Sequence, residues 1–143
     1  MNREEPAARA EFKAWRTFTT RWSDNDAYGH VNNVIFYQWF DSAVNSWMIE
    51  EGLLDVGQGG AIALVAETRC SYFEPLSFPE VVEVGLSVAR LGRSSIRYRI
   101  GVFARGAGTA AAQGEFVHVV VARKSRRPID IPQDWRLKLE AIS

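Results

Sequence analysis

The chain has 143 residues, of which 47% are hydrophobic, enough for one domain whose core needs no disulfide or metal to hold it together. Its 17 basic and 17 acidic residues cancel, so no overall field attracts nucleic acid or an anionic membrane, and an anionic ligand has to be met by local cations. Cys70 is the only cysteine, which excludes an internal disulfide and a cysteine zinc site and is typical of a reducing compartment.

Residues 1–6 are polar and have no apolar stretch like that of a secretory leader. No apolar run approaches the roughly 18 residues of a membrane span. We therefore expect a cytosolic protein that does not enter the membrane. Residues 1–10 predict a loose N-terminal arm, and residues 1–143 predict a single domain without internal repeats.

Alternation of apolar and polar residues predicts a first strand from Phe12 to Trp22, with Trp15 on the opposite face from the rest. A polar loop follows, and then a helix of about 18 residues. Asn33 is its predicted N-cap, and Gly52 is placed to end it in a left-handed conformation. Its apolar positions are 36, 39, 40, 43, 44 and 47, so most of its circumference is predicted to be buried.

Four further strands are predicted over residues 61–73, 81–91, 95–104 and 110–122, and a short helix over residues 132–142. On the first of these strands one parity is shared by Ile62, Leu64, Thr68, Cys70 and Tyr72. Three short connections in a row imply an antiparallel meander, and one long apolar helix has to be buried against it. The sequence therefore predicts an α+β domain in which a curved antiparallel sheet of five strands cradles the helix.

The loop before the long helix contains the sharpest group of chemically active side chains, Asp24, Asp26 and His30. They precede a helix N-terminus, whose free N–H groups and dipole favour a developing anion. Three interpretations stay open at this point. The aspartates are turn formers, or the group is a metal site, although no second His or Glu cluster joins it, or it is acid/base machinery.

The other polar candidates are less specific. His118, on a valine-rich strand, is predicted to be a packed core or interface residue, and Glu67 is either a solvated strand residue or a pocket carboxylate. Arg93, Ser94 and Ser95 lie at a tight turn, where such residues are ordinary but can also meet a phosphate. The remaining candidates form a basic loop of a kind that is usually solvated: Arg123, Lys124, Arg126 and Arg127.

The segment Asp26-Ala27-Tyr28-Gly29-His30-Val31-Asn32-Asn33 resembles the hotdog-fold acyl-CoA thioesterases of the 4-hydroxybenzoyl-CoA thioesterase type. The same pattern is found in short bacterial acyl-CoA thioesterases and in plant acyl-ACP thioesterases. Residues 72–75 and 91–96 also match, and the order of elements fits from about residue 12 to the end of the chain. The chain departs from the plant enzymes at Tyr28, where they carry Asn, and from several relatives at Gly29, where they carry Gln.

The resemblance implies a sheet wrapped around the helix, and homodimers or homotetramers whose sheets join edge to edge with active sites at the interface. It implies that Asp26 is the catalytic carboxylate, assisted by His30, and that a backbone amide near Asn33 polarises the thioester carbonyl. The substrate is then an acyl-CoA, with acyl carrier protein left open, and no metal or cofactor takes part. The expected substrate-binding residues are Tyr28, Asn32, Glu67, Arg93, Ser94 and Ser95.

Two other functions remain open on the sequence. One is a hotdog enoyl-CoA hydratase or dehydratase, which also pairs an aspartate with a histidine but abstracts a proton next to the carbonyl. The other is a non-catalytic acyl-CoA-binding dimer that keeps the pocket. An assay of thiol release from acyl-CoAs and enoyl-CoAs separates these possibilities.

Overall fold

The computed structural model describes residues 4–55 and 57–143. Its elements, in chain order, are β1 (Ala14–Thr19), α1 (Asn33–Glu50), β2 (Ala61–Tyr72), β3 (Val81–Leu91), β4 (Ser95–Ala104), β5 (Ala112–Ala122) and α2 (Gln133–Glu140). The strands form one antiparallel sheet in the order β1-β3-β4-β5-β2, and α1 packs on its inner face. This is the predicted hotdog fold.

The predicted meander is correct for β3, β4 and β5 but wrong for β2, which pairs with β5 instead of β3. Residues 73–80 therefore cross the end of the sheet near the start of α1. Within this crossing, Leu76 is buried and its carbonyl accepts a hydrogen bond from the Val31 N–H at 2.7 Å. The crossing spans three strand spacings, about 14 Å, which a segment of this length covers at about 3.3 Å per residue. Loop length alone could not distinguish a crossing from a hairpin.

The apolar face of α1 is the one predicted, and its buried residues are Phe36, Trp39, Phe40, Ala43, Val44, Trp47 and Met48. The N-cap is Asn32, one residue before the predicted position, because its side-chain oxygen accepts from the Val34 N–H at 3.0 Å. The helix ends at Glu50, and Gly52 follows in the predicted left-handed conformation with a φ of +76°. No helix in the described part of the chain is both long and apolar enough to cross a membrane.

The first strand is shorter than predicted, and both of its predicted ends lie elsewhere. Trp22 belongs to a 3-10 turn and is 77% exposed. Phe12 packs on the outer face of the sheet against Phe103, with their ring centroids 5.8 Å apart. The outer face admits this side chain because a Cβ added at Gly85 or Gly101 would come within 2.7 Å of it. Two glycines on neighbouring strands thus make the groove that the alternation pattern did not reveal.

Residues 4–10 lie along the same outer face, in contrast to the loose arm expected for residues 1–10. Ala7 is 2% exposed, and its N–H donates to the Gln113 side chain at 2.6 Å. The Arg9 guanidinium lies 5.0 Å from an aromatic ring centroid of this face. Residues 1–3 lie outside the described part of the chain.

The prediction that Ile62, Leu64 and Tyr72 share one face of β2 is wrong because a β-bulge shifts the register between Val65 and Glu67. The extra residue reverses the parity of the strand. Tyr72 lies opposite Ala112, which is a residue of the main core. Leu64 lies opposite Val119, on the outer face of the sheet. After the bulge, every second residue of β2, including Tyr72, therefore faces α1.

His118 is buried, as predicted, with 1% of its surface exposed. Its ring packs edge-on against Phe116, with centroids 4.9 Å apart, and lies 5.8 Å from the Tyr98 ring. Within the described residues, neither its Nδ1 atom nor the Tyr98 hydroxyl has a hydrogen-bond partner. Burial lowers the pKa of His118 to about 4, so the folded protein keeps this ring neutral.

We expect His118 to make the fold sensitive to acid. Because its folded pKa lies below the unfolded value of about 6.5, this contribution to stability is complete above pH 6.5 and is lost as the pH falls towards 4. Between pH 7.5 and 4.5 the loss amounts to roughly 2–3 kcal/mol. Urea unfolding at both pH values should show a smaller loss in His118→Leu than in the wild type. Tyr98→Phe, in the same cluster, is the control and should keep the wild-type pH dependence.

Candidate active site

A cavity of about 430 Å³ lies where α1 begins, between its first turn and the end of β2. Its polar wall is formed by Asp26, His30 and Asn33. Its apolar wall is formed by Val31, Phe36, Tyr72 and Leu76, and residues 73–75 complete the rim. The structure therefore brings together the three residues for which the resemblance implies a catalytic role.

Backbone hydrogen bonds shape the loop that holds Asp26. The Asp26 N–H donates to the His30 carbonyl at 2.8 Å, and the Gly29 N–H donates to the Asp26 carbonyl at 3.1 Å, with Gly29 at a φ of +80°. The Asp26 Oδ1 atom accepts from the N–H groups of Tyr28, at 2.8 Å, and His30, at 3.4 Å. Its Oδ2 atom has no hydrogen bond within the described residues, so one carboxylate oxygen holds the loop and the other remains available to a ligand.

The N–H of Asn33 is the second available group. The Asn32 side chain caps Val34, and the Asn32 carbonyl accepts from the Ile35 N–H at 2.9 Å. The Asn33 N–H itself donates no hydrogen bond to any described residue. Because it lies at the positive end of the α1 dipole, it is suited to a developing negative charge.

Asp24, the other aspartate of the loop, is a structural residue. It is 1% exposed and accepts hydrogen bonds from the Arg21 backbone N–H at 2.8 Å and from the Arg21 guanidinium at 2.9 Å. Its carbonyl accepts from the Asn32 N–H at 2.8 Å, which ties it to the start of α1. No three His, Cys, Asp or Glu residues are placed to hold a metal ion within residues 4–55 and 57–143.

None of the six expected substrate-binding residues lines this cavity. Tyr28 is 86% exposed, and its contribution to the loop is its backbone N–H. Asn32 uses its side chain as the helix cap. Glu67 lies on the outer face of the sheet, 4.0 Å from the Arg97 guanidinium.

The Arg93-Ser94-Ser95 turn is at the other end of the sheet. Ser95 pairs with a β5 residue that pairs in turn with Leu64, which is roughly 25 Å from Tyr72 along β2 at about 3.3 Å per residue. The Arg93 side chain is 86% exposed and forms an ion pair with Asp130 at 2.5 Å. Residues 124–127 are also exposed. Neither basic group lines the cavity.

The residues of the apolar wall were missed as site residues on the sequence. Tyr72 donates from its hydroxyl to the Asn33 carbonyl at 3.0 Å, and its ring meets Phe36 edge-on at 5.1 Å. Their place depends on the crossing made by residues 73–80, which the sequence assigned to a hairpin. The sequence signal for Tyr72 was the match of residues 72–75 to the family that the chain resembles.

The sequence and the structure of this chain were compared with those of known proteins, and both have clear relatives. The thioesterase-like superfamily matches residues 20–139 of the chain. The crystal structure of the PA5185 protein from Pseudomonas aeruginosa strain PAO1 is similar, with 47% identity, a TM-score of 0.94 and 97% of each chain covered.

Two further structures share the fold at lower identity. A predicted thioesterase from Bacillus stearothermophilus is 23% identical, with a TM-score of 0.78 over 90% of this chain and 94% of that one. A 1,4-dihydroxy-2-naphthoyl-CoA thioesterase from Synechocystis is 19% identical, with a TM-score of 0.78 over 87% and 93%. No curated protein matches the chain. The chain therefore belongs to the thioesterase-like superfamily and, with it, to the thioester hydrolases.

Proposed function

We propose that this chain is an acyl-CoA thioesterase that hydrolyses a CoA thioester to a carboxylic acid and free CoA without a cofactor. The observation that carries the proposal concerns two groups without partners among the described residues, the Asp26 Oδ2 atom and the Asn33 N–H. Both belong to residues that line one cavity. Because a thioester carbonyl is already electrophilic, its hydrolysis needs little beyond a carboxylate and an oxyanion donor.

Two routes use the same groups. In the first, the Asp26 carboxylate takes a proton from water while the water oxygen attacks the carbonyl carbon. In the second, Asp26 attacks the carbonyl carbon itself and forms a mixed anhydride, which water then hydrolyses. In both, the carbonyl oxygen gains negative charge and accepts a hydrogen bond from the Asn33 N–H, the C–S bond breaks, and the departing CoA thiolate takes up a proton.

Thiol release from a panel of acyl-CoAs and enoyl-CoAs tests the proposal. We expect release of one free thiol for each carboxylic acid formed from at least one class of acyl-CoA. A hydratase or dehydratase converts enoyl-CoA or hydroxyacyl-CoA without releasing thiol, and a binding protein takes up acyl-CoA without turnover. Either of these results would overturn the proposal.

The free edge of β2 favours a second copy of the chain as partner. β2 has 12 residues and pairs on one side with β5, and it leaves Leu64 38% and Val65 50% exposed. A long apolar strand edge is an aggregation hazard unless another strand covers it. β1, at the other edge of the sheet, has six residues and offers a shorter template.

Pairing of two β2 strands about a two-fold axis would also bring the basic groups of one copy towards the cavity of the other. In an antiparallel pair, the Tyr72 end of one copy lies beside the Ala61 end of the other. The Arg93 turn and residues 124–127 of the second copy then come to the end of the sheet that holds the first copy's cavity. We propose a homodimer, alone or within a tetramer, with sites shared between subunits.

We expect the wild type to be at least a dimer at micromolar concentration, and Val65→Asp to be a monomer that has lost most of its activity. The change places like charges near each other across the two-fold axis, which opposes pairing of the strands. Light scattering after size exclusion gives the mass, and thiol release gives the activity. Thr19→Asp, on the β1 edge and opposite the uncharged Val81, is the control and should leave both unchanged. A monomeric wild type with full activity would contradict the shared site.

Arginine at the second copy's turn is suited to the nucleotide end of CoA, because a guanidinium can bind two phosphate oxygens. Such contacts are equal in the ground and transition states, so they affect binding and not the chemical step. We therefore expect Arg93→Ala, or a joint change of Arg126 and Arg127 to Ala, to raise KM for acyl-CoA several-fold with kcat nearly unchanged.

The same variants should behave almost like the wild type on a truncated acyl-pantetheine, which has no nucleotide. Arg105→Ala, in the exposed turn after β4, is the control and should not change KM. An unchanged KM for acyl-CoA in the Arg93 and Arg126/Arg127 variants would show that these side chains do not bind the nucleotide and are simply solvated.

A further inference from the structure

Tyr72, the last residue of β2, connects the edge of the sheet to the first turn of α1. Its hydroxyl donates to the Asn33 carbonyl at 3.0 Å, and its ring packs edge-on against Phe36 with centroids 5.1 Å apart. Burial raises the pKa of the Tyr72 phenol above its ordinary value, so the hydroxyl stays protonated and remains a donor. The side chain is thus fixed by a hydrogen bond and by packing, although the residue is 43% exposed.

The groups on either side of the Asn33 N–H are engaged. Before it, the Asn32 carbonyl accepts from Ile35 at 2.9 Å, and the Asn32 side chain accepts from Val34 at 3.0 Å. After it, the Asn33 carbonyl accepts from Tyr72. The Asn33 N–H is the donor left for a ligand, and Tyr72 supplies the hydrogen bond that ties its residue to the sheet.

The segment that begins at Tyr72 also holds the loop of the catalytic carboxylate. The Leu76 carbonyl accepts from the Val31 N–H at 2.7 Å, and the Ser77 hydroxyl donates to the Gly29 carbonyl at 2.9 Å. The same stretch of chain therefore fixes the helix turn at one end and the Asp26 loop at the other. The separation of the carboxylate and the N–H depends on where residues 72–77 lie.

We propose that Tyr72 is a positioning residue, whose hydroxyl holds the first turn of α1 against the sheet edge so that the Asn33 N–H keeps a fixed place relative to Asp26. This inference rests on the proposed hydrolysis at this cavity. Tyr72 acts through Asn33 and without touching the reacting atoms. It therefore affects the rate through the placement of the reacting groups. A displacement of about 1 Å in such a group can cost a factor of roughly 100 in rate.

The first test is Tyr72→Phe, which keeps the ring and removes the hydroxyl. We expect kcat to fall about tenfold, a smaller effect than a full misplacement, with KM for acyl-CoA and the melting temperature close to wild type. Tyr98→Phe is the matched control, because it also removes one tyrosine hydroxyl from the inner face of the sheet and that hydroxyl has no partner among the described residues. Its kcat should equal that of the wild type. A wild-type kcat in Tyr72→Phe would overturn the inference while leaving the thioesterase proposal intact.

The second test places Tyr72→Phe in an Asn33→Pro background, where the N–H is absent. If the hydroxyl acts through that N–H, its removal causes no further loss of kcat there, so the two changes are strongly non-additive. An equal tenfold loss in both backgrounds would show that the hydroxyl acts elsewhere and would overturn the inference.

A readout that does not depend on activity is the backbone order parameter of Asn33 from ¹⁵N relaxation. It should fall in Tyr72→Phe and stay at the wild-type value in Tyr98→Phe. An unchanged order parameter and amide chemical shift for Asn33 in Tyr72→Phe overturns the inference even if the wild type hydrolyses none of the thioesters tried. Absence of hydrolysis by the wild type, by contrast, counts against the proposed function.

Discussion

Replacing Asp26 by asparagine will lower kcat for acyl-CoA hydrolysis by a factor of about 100 or more, and will leave the fold intact. The Oδ1 atom accepts the N–H groups of Tyr28 and His30, and the amide oxygen of asparagine can accept the same two bonds. The Oδ2 atom becomes an NH₂ group, which can neither take a proton from water nor attack a carbonyl. The change thus removes the chemistry and keeps the loop.

Steady-state thiol release measures this loss, and circular dichroism checks the fold. Asp24→Asn is the matched control, because Asp24 is buried, pairs with Arg21 and does not line the cavity. It should reduce the free energy of unfolding by roughly 1–3 kcal/mol and have a far smaller effect on kcat. If Asp26→Asn keeps more than about a tenth of the wild-type kcat, the catalytic role of Asp26 is wrong.

Replacing Asn33 by proline will lower kcat by about 100- to 1000-fold, the range found when one oxyanion donor is removed. Proline has no N–H, and Asn33 is the first residue of α1, the helical position that tolerates proline best. The residue before it, Asn32, has φ −60° and ψ 138°, a conformation that a following proline accepts. The variant should therefore fold while lacking the donor.

Asn33→Ala is the control for this variant, since it keeps the backbone N–H and loses the side chain. It should retain most of the wild-type kcat. A rise in KM without a fall in kcat in Asn33→Pro would mean that the proline ring obstructs the substrate, and equal losses of kcat in both variants would assign the effect to the side chain. Either result would contradict a role for the N–H.

The sequence was sufficient for the parts of this fold that depend on local patterns. The apolar spacing from Phe36 to Trp47 and the glycine at 52 predict α1 because burial and left-handed helix ends follow directly from residue type. The chemical group around Asp26 was also visible, since its residues are neighbours in the chain. The resemblance already gave the catalytic role to Asp26 rather than Asp24, but the burial of Asp24 was not visible, because it depends on where Arg21 folds.

The parts that the sequence missed depend on contacts between distant residues. The bulge between Val65 and Glu67 reverses the face of every later side chain in β2, and no residue type marks it. Phe12 alternates as an inner residue would, yet it packs outside because glycines on two other strands leave it room there. Tyr72 enters the site because β2 pairs with β5, a choice that short connections do not disclose.

The crossing segment that closes the cavity has a consequence for how the substrate range of such an enzyme can diverge. Residues 73–76 form a wall of the cavity but belong to no strand or helix, and they are anchored by backbone hydrogen bonds, from Phe73 and Glu74 to the Ala111 carbonyl and from Val31 to Leu76. Because these anchors use main-chain atoms, the exposed side chains of Glu74 and Pro75 can be exchanged without removing a contact from the main core. Selection can therefore reshape this wall one residue at a time, while the sheet and α1 retain the sequence that folds them.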